Sequence, residues 1–378
     1  MRYRLTCLTP LLVGDGRKLS PIDYMVWKDQ VNVLDQRRIF RLLAKGPRLE
    51  GYLTQLKRAD KLDFASWGGF AQNFADRRVP FEDPSSTVYW EKARSESLSI
   101  PTFLSGLDGP YLPGSAIKGA LRTGVLFARW GNGAPPQMDD RSWRRPGEAA
   151  EEQALGPGPV NFMRAIAVAD SQPVPVAALR LYLLRVSTLV ARGGGRYELG
   201  WKQTPRGTVP GNQAGESTPL FAEMAAPGTI FEGVWRENAF LAQPEIARAL
   251  RWREPVTGAR ILAAANRFAA RLLAIQKQYA AWAGLPLLGE SVEHLEKWLA
   301  HVQEKGGACL LSMGWGSGLL AKTGWLETDN EAYRQAMQQV PLYSRALTTG
   351  LPFPKTRRIV FLNNQPATLP GWAVLEVE

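Results

Sequence analysis

Two cysteines and two histidines are all that 378 residues contain of either type. Cys7 and Cys309 sit in apolar, strand-like runs, so buried thiols of a reducing cytosol are expected rather than a disulfide. His294 and His301 fall on a predicted helix among Glu293, Glu296 and Glu304, the pattern of an exposed helix, and neither a His-x-x-x-His step nor a cysteine pair completes a zinc set. No run of about 18 apolar residues occurs, and no basic-then-apolar leader opens the chain. Membrane spanning and secretion are therefore not expected, and the cytoplasm is. Negative charge is also short: 35 Asp and Glu face 46 Lys and Arg, a formal charge of +11. Such a field favours polyanions without distinguishing nucleic acid from anionic lipid or an acidic protein surface.

What is present is a folded protein with many loops. The 36 Gly and 27 Pro imply long connections, while 45% hydrophobic residues argue against disorder. The length suffices for two domains. Residues 2–9 alternate as a strand with one packed face, and a charged turn with Arg17 and Lys18 follows. A hairpin over 21–34 turns at Lys28-Asp29-Gln30 and leads to a helix capped by Asp35. Residues 179–190 read as a strand apolar on both faces, and 230–236 as its returning partner across a basic excursion.

Four basic features stand out. A helix over 116–130, with Ser115 as its expected cap, places Lys118, Arg122 and Arg129 within about 40° of one another. A second helix over 259–282 carries Arg260, Arg267 and Arg271 beside its apolar face, with no carboxylate between Glu254 and Glu290; such one-sided charge favours anion contact. Near the carboxyl end, an apolar run empties into Gly314-Trp315-Gly316-Ser317-Gly318, followed by Lys322 and Thr323. Missing β-carbons there let a backbone or a phosphate approach. The spacing is neither a P-loop nor a dinucleotide fingerprint, so the turn reads equally as a structural bulge or a polyanion contact. The loop over 131–159 interleaves Arg141, Arg144 and Arg145 with Trp143, suited to phosphates and base stacking or simply solvated. Two strand-rich halves, each with an arginine-striped helix, suggest two related α+β modules.

Taken together, several segments resemble the RAMP superfamily, the ferredoxin-like subunits of CRISPR systems. They are the opening Thr9-Pro10-Leu11-Leu12-Val13-Gly14-Asp15-Gly16, the helix start Leu112-Pro113-Gly114-Ser115-Ala116-Ile117-Lys118-Gly119, the strand end Asp170-Ser171 and the glycine loop. The tail Pro354-Lys355-Thr356-Arg357-Arg358 resembles that of the type III-A Csm-complex subunit that caps the crRNA 3′ side. The resemblance implies two ferredoxin-like modules, 1–172 and 173–378, with insertions at about 51–96 and 131–159. It further implies a non-catalytic subunit that contacts the crRNA 3′ region, target RNA, and the backbone and small subunits of the effector complex, with no cofactor and no metal. The RNA-binding set expected on this basis comprises Arg17 and Lys18; Ser115, Lys118, Arg122 and Arg129; Arg260, Arg267 and Arg271; Gly314, Gly316, Ser317, Gly318 and Lys322; and Lys355, Arg357 and Arg358. Metal-free RNA cleavage wants a poised base near the 2′-OH, and none accompanies these residues. The competing readings are a metal-dependent endoribonuclease using Asp139 or Asp140, with Asp15 and Asp23 as weaker candidates, and an assembly protein that touches no RNA.

Overall fold

Alternation at the amino terminus becomes β1 (Arg2–Cys7), with Tyr3, Leu5 and Cys7 buried and Arg2 and Arg4 exposed. This computed structural model describes every residue except 59–72, 94–96, 132–146, 194, 204–209, 253–254, 328–329, 341–342, 345–346 and 348–349. Strands β2 (Tyr24–Trp27) and β3 (Gln30–Leu34) form the expected hairpin. Lys28 and Asp29 both take positive φ, 49° and 57°, the primed-turn geometry whose twist suits paired strands. The Asp35 carboxylate accepts the Arg38 N–H to start α1 (Gln36–Leu43), and β4 (Ala75–Pro80) completes a small three-stranded sheet.

The remaining main elements follow in order: α2 (Gly114–Trp130), α3 (Glu148–Leu155), β5 (Ile166–Val168), β6 (Leu179–Ala191), β7 (Tyr197–Lys202), β8 (Leu220–Ala225) and β9 (Ile230–Glu237). After them come α4 (Gly258–Ala283), α5 (Pro286–Lys305), β10 (Ala308–Ser312), β11 (Thr356–Leu362), β12 (Gln365–Thr368) and β13 (Trp372–Val377). One sheet runs β10-β13-β1-β9-β5, every neighbour antiparallel. Helix α2 lies between β1 and β5 in the chain, and α4 with α5 between β9 and β10. The second sheet is built on β6, which pairs β8 along its first half and β7 along its second, with β11 and then β12 on its other edge. The chain is thus α+β, as expected.

Strand β6 is apolar on both faces because each face feeds a different core. Tyr182 and Leu184 join the core containing β1 and α2, whereas Leu181 and Leu183 join one with Phe81, Phe221, Phe268 and Leu272. Its expected partner at 230–236 is not its partner. That segment, β9, pairs with β1, from Arg2↔Val234 to Thr6↔Ile230. Only Phe231 and Trp235 of β9 are buried, a one-faced pattern that suits an open sheet better than one covered on both sides. Since β1 and β5 precede residue 173 while β9, β10 and β13 follow it, the first sheet draws strands from both sides of the expected boundary.

Helices α2 and α4 meet where a β-carbon on Gly124 would lie 2.7 Å from the Ala265 Cα, so glycine permits the close crossing. Asn266 of α4 donates to the Ala308 carbonyl and accepts from the Leu310 N–H, 3.0 Å each; these bonds satisfy backbone groups on the edge strand β10. Both cysteines are buried and free. Among the described residues no helix is long and apolar enough to cross a membrane.

Candidate nucleic-acid interface

The segments that stood out in the sequence meet in space, though not as one binding surface. After β1 the chain runs Pro10-Leu11-Leu12 between the two sheets. Leu11 exchanges backbone bonds with Ala225 of β8, the Leu12 carbonyl accepts the Trp315 N–H at 2.7 Å, and the Pro10 carbonyl accepts the Gly371 N–H. Gly314, at φ +82°, leaves only 2.3 Å between an added β-carbon and the Leu12 oxygen. This glycine is therefore needed for backbone packing. Beyond it the turn opens: Ser317 Oγ donates back to the Gly314 carbonyl at 2.8 Å, and a β-carbon on Gly318, φ +85°, would meet nothing within 4 Å.

The helix start is organised from elsewhere. Ser115 does not cap α2, which begins one residue earlier with Pro113 in the cap position. Proline offers no side-chain acceptor, and the Asp170 carboxylate accepts the Gly114 N–H at 2.9 Å, placing negative charge at the positive end of the helix dipole. Ser171 Oγ accepts the Leu112 N–H, also at 2.9 Å. The Pro-Gly-Ser and Asp-Ser segments are thus two halves of one joint.

Next to the glycine turn lies a groove of about 540 Å³. One wall is Gly316, Ser317 and Gly318; the other is the lead-in to β11, from Phe353 to Arg358; and Lys202, at the end of β7, closes a side. Among the described residues its lining holds four cations, Lys202, Lys355, Arg357 and Arg358, and no carboxylate. Thr218, Ser317 and Thr356 add hydroxyls, and Gln276 an amide. The Arg358 guanidinium lies over the Trp315 ring, 5.0 Å from its centre, which stations an exposed cation at the mouth.

Arg357 is the electrostatic centre of this wall. Only 8% exposed, it donates from Nε to Gln276 Oε1 at 2.6 Å and from Nη1 to the Pro354 and Thr356 carbonyls, with its plane 4.3 Å from the Tyr279 ring centre. Every one of these partners is neutral. Burial lowers its pKa to about 10, the mark of a cation that has lost water without gaining an anion. Burial, and then the charge of Lys202, likewise lower the pKa of Lys355. A polyanion entering the groove would offset both costs.

Of the expected RNA-binding set, the arginines of the two helices lie outside this groove. Arg122 pairs with Glu151 of α3, in a separate concavity that also holds Glu148 and Glu152. Lys118 is half-buried and donates to the Ile166 carbonyl at 2.9 Å, and Arg129 packs over Phe162. Although α4 has no carboxylate of its own, neighbouring segments supply them: Arg271 reaches Glu327 at 3.8 Å, and Lys277 reaches Glu293 and Glu296 of α5. Arg260 donates to the Pro255 carbonyl, while Arg267 and Lys322 are exposed outside the groove lining. Arg17 pairs with Asp15, and with Lys18 borders another concavity.

The candidates for chemistry are placed as follows. Asp15 and Asp23 accept bonds from Arg17 and Ser20 within their own turns. Asp139, Asp140 and the Arg141 to Arg145 run lie outside the described residues. Both histidines flank Trp298 on the surface of α5, away from the groove. Among the described residues no group of three or more His, Cys, Asp or Glu could hold a metal. The arrangement can bind a phosphate chain, and its lining offers neither imidazole nor carboxylate as a base. Lys202 was not singled out from the sequence, since it stands about 150 residues from Lys355 and only the β7-β6-β11 pairing brings the two together.

Comparison with known proteins gives three results. The family model described as RAMPs, the RAMP superfamily, matches residues 4–252. A CRISPR system Cms protein Csm5 from Methanocaldococcus jannaschii is 22% identical over 191 residues, 45% of this chain and 42% of that protein, so the match spans less than half of that relative. Among solved structures, a chain in the cryo-EM structure of a type III-A Csm-crRNA-target RNA ternary complex superimposes over the whole of both chains with TM-score 0.66 at 21% identity. A crystal structure of T. onnurineus Csm5 matches 99% of this chain and 100% of its own with TM-score 0.58 at 18% identity. At these identities the structural likeness is one of fold.

Proposed function

We propose that this chain, which belongs to the RAMP superfamily, is a non-catalytic crRNA-binding subunit that caps the guide's 3′ end in a type III-A effector complex. The observation that carries this reading is the carboxylate-free groove around Arg357, with Lys202, Lys355 and Arg358 at its rim. Contacts of this kind neutralise phosphates and position a strand without reading its bases, which is what a subunit holding guides of many sequences requires. Target RNA, reached when it pairs with the guide, and the backbone and small subunits of the complex are the further partners in this reading. Two ferredoxin-like modules are part of this reading; what supports such a unit is the order β1-α2-β5-β9-α4-β10 around the first sheet, whose strands come from both sides of residue 172.

The test is reconstitution with a 3′-labelled crRNA. Wild-type protein is expected to protect the guide's 3′ end from a 3′ exonuclease, and a Lys202→Ala, Lys355→Ala, Arg358→Ala triple variant to leave it trimmed while assembly proceeds. Protection that survives the triple variant, or that appears only at the 5′ end, would count against the reading.

A further inference from the structure

We infer that a second concavity, across Pro354 from the groove, is a nucleobase pocket that takes the base of a nucleotide whose phosphate lies in the groove; this rests on the RNA-binding reading above. It measures about 230 Å³ and shares Phe353, Pro354 and Arg357 with the groove as common lining. The two cavities are therefore neighbours, and the buried Arg357 lines both. The second cavity brings the rings of Phe353, Tyr279 and Trp282 together with the guanidiniums of Arg271 and Arg357. Its floor is α4: Trp282 and Ile275 supply apolar surface, and Tyr197 meets the Trp282 ring edge-on at 5.4 Å, which fixes the indole's orientation.

Polar groups stand around that surface. The Trp282 indole N–H and the exposed Gln278 amide make no hydrogen bond among the described residues, and the Arg271 guanidinium, paired with Glu327 at 3.8 Å, adds a cation. A base has a π-face for the indole and a polar edge for the Gln278 amide or the Arg271 guanidinium. A second protein's apolar side chain would leave the amide unpaired, at a cost. Stacking on an aromatic platform tolerates every base, consistent with a guide of arbitrary sequence.

The experiment uses the full chain and a single-stranded RNA in which one abasic nucleotide is moved stepwise along the strand. Binding is compared for wild type, Trp282→Ala, Trp282→Phe and the Lys202→Ala, Lys355→Ala double variant. One abasic position is expected to weaken wild-type binding about 30-fold, the mid-range of a base-aromatic stack. The same position should have little effect on Trp282→Ala and an intermediate one on Trp282→Phe, which keeps a ring and guards against a folding defect. If binding depends on Lys202 and Lys355 yet is indifferent to abasic sites at every position, the base pocket is refuted and the groove stands. If the lysine variant binds as wild type does, the groove reading fails and the pocket fails with it.

Discussion

Replacing Lys202 and Lys355 together by alanine should flatten the salt dependence of RNA binding. Three groove cations reach solvent: both lysines are half-buried and Arg358 is exposed. Each phosphate neutralised on a single strand contributes about 0.7 to the slope of log affinity against log salt, so three contacts give a slope of about −2, and a fourfold rise in salt weakens binding about 20-fold. With Arg358 alone the slope falls to about −0.7 and the same rise costs about threefold. Fluorescence anisotropy of a labelled oligonucleotide, read from about 50 to 200 mM salt, measures both slopes, and circular dichroism checks that the variant is folded. The reasoning concerns where the phosphates lie, so the slope matters more than the affinity. A folded double variant that keeps the wild-type slope would falsify the assignment of the groove, whatever its absolute affinity. The helix arginines provide the contrast: Arg122→Ala removes a cation already paired with Glu151 and should leave the slope unchanged.

Other outcomes follow from the same geometry. Gly314→Ala must fit a β-carbon 2.3 Å from the Leu12 oxygen at φ +82°, whereas Gly318→Ala at φ +85° enters open space; chemical denaturation should show a loss of at least about 2 kcal/mol for the first and about 1 for the second. Gln276→Leu strips the Nε partner from buried Arg357 and should cost about 2–3 kcal/mol, unless thermal melts show it to be neutral, in which case the guanidinium is not held as described. Because burial and Lys202 lower the Lys355 pKa, this side chain gives up its proton at lower pH than a free lysine. RNA affinity should therefore begin to fall as pH rises while ordinary lysines are still charged, and Lys355→Arg should remove that early fall; identical pH profiles for the two proteins would refute the linkage.

Much of the local structure could be read directly. Tyr3, Leu5 and Cys7 alternate because one face of β1 is buried, Asp35 caps because its carboxylate can reach the Arg38 N–H, and α4 runs from Gly258 to Ala283, close to its expected bounds. These are short-range matters, decided by periodicity and by side chains a few residues apart. Partnership was not legible. Strand β9 lies closer in sequence to β6 yet pairs with β1, and the cap of α2 comes from Asp170, 56 residues away. The helix stripes misled for the same reason, because a helix without acids of its own is still neutralised when Glu151, Glu293, Glu296 and Glu327 arrive from other segments.

The amino-acid order by itself determined the basic charge, the α+β class, the bounds of the main helices and the existence of a glycine turn and a basic tail that could serve a polyanion. Those properties depend on composition and on periods of two and 3.6 residues, which a single chain carries openly. Only the tertiary structure decided which cations remain free. It set Lys202 beside Lys355, buried Arg357 against neutral acceptors, and spent Arg122 and Lys277 on carboxylates. A charge is available to a ligand only if nothing nearer has claimed it, and nearness in a fold is settled by strand pairing across hundreds of residues, not by position along the chain.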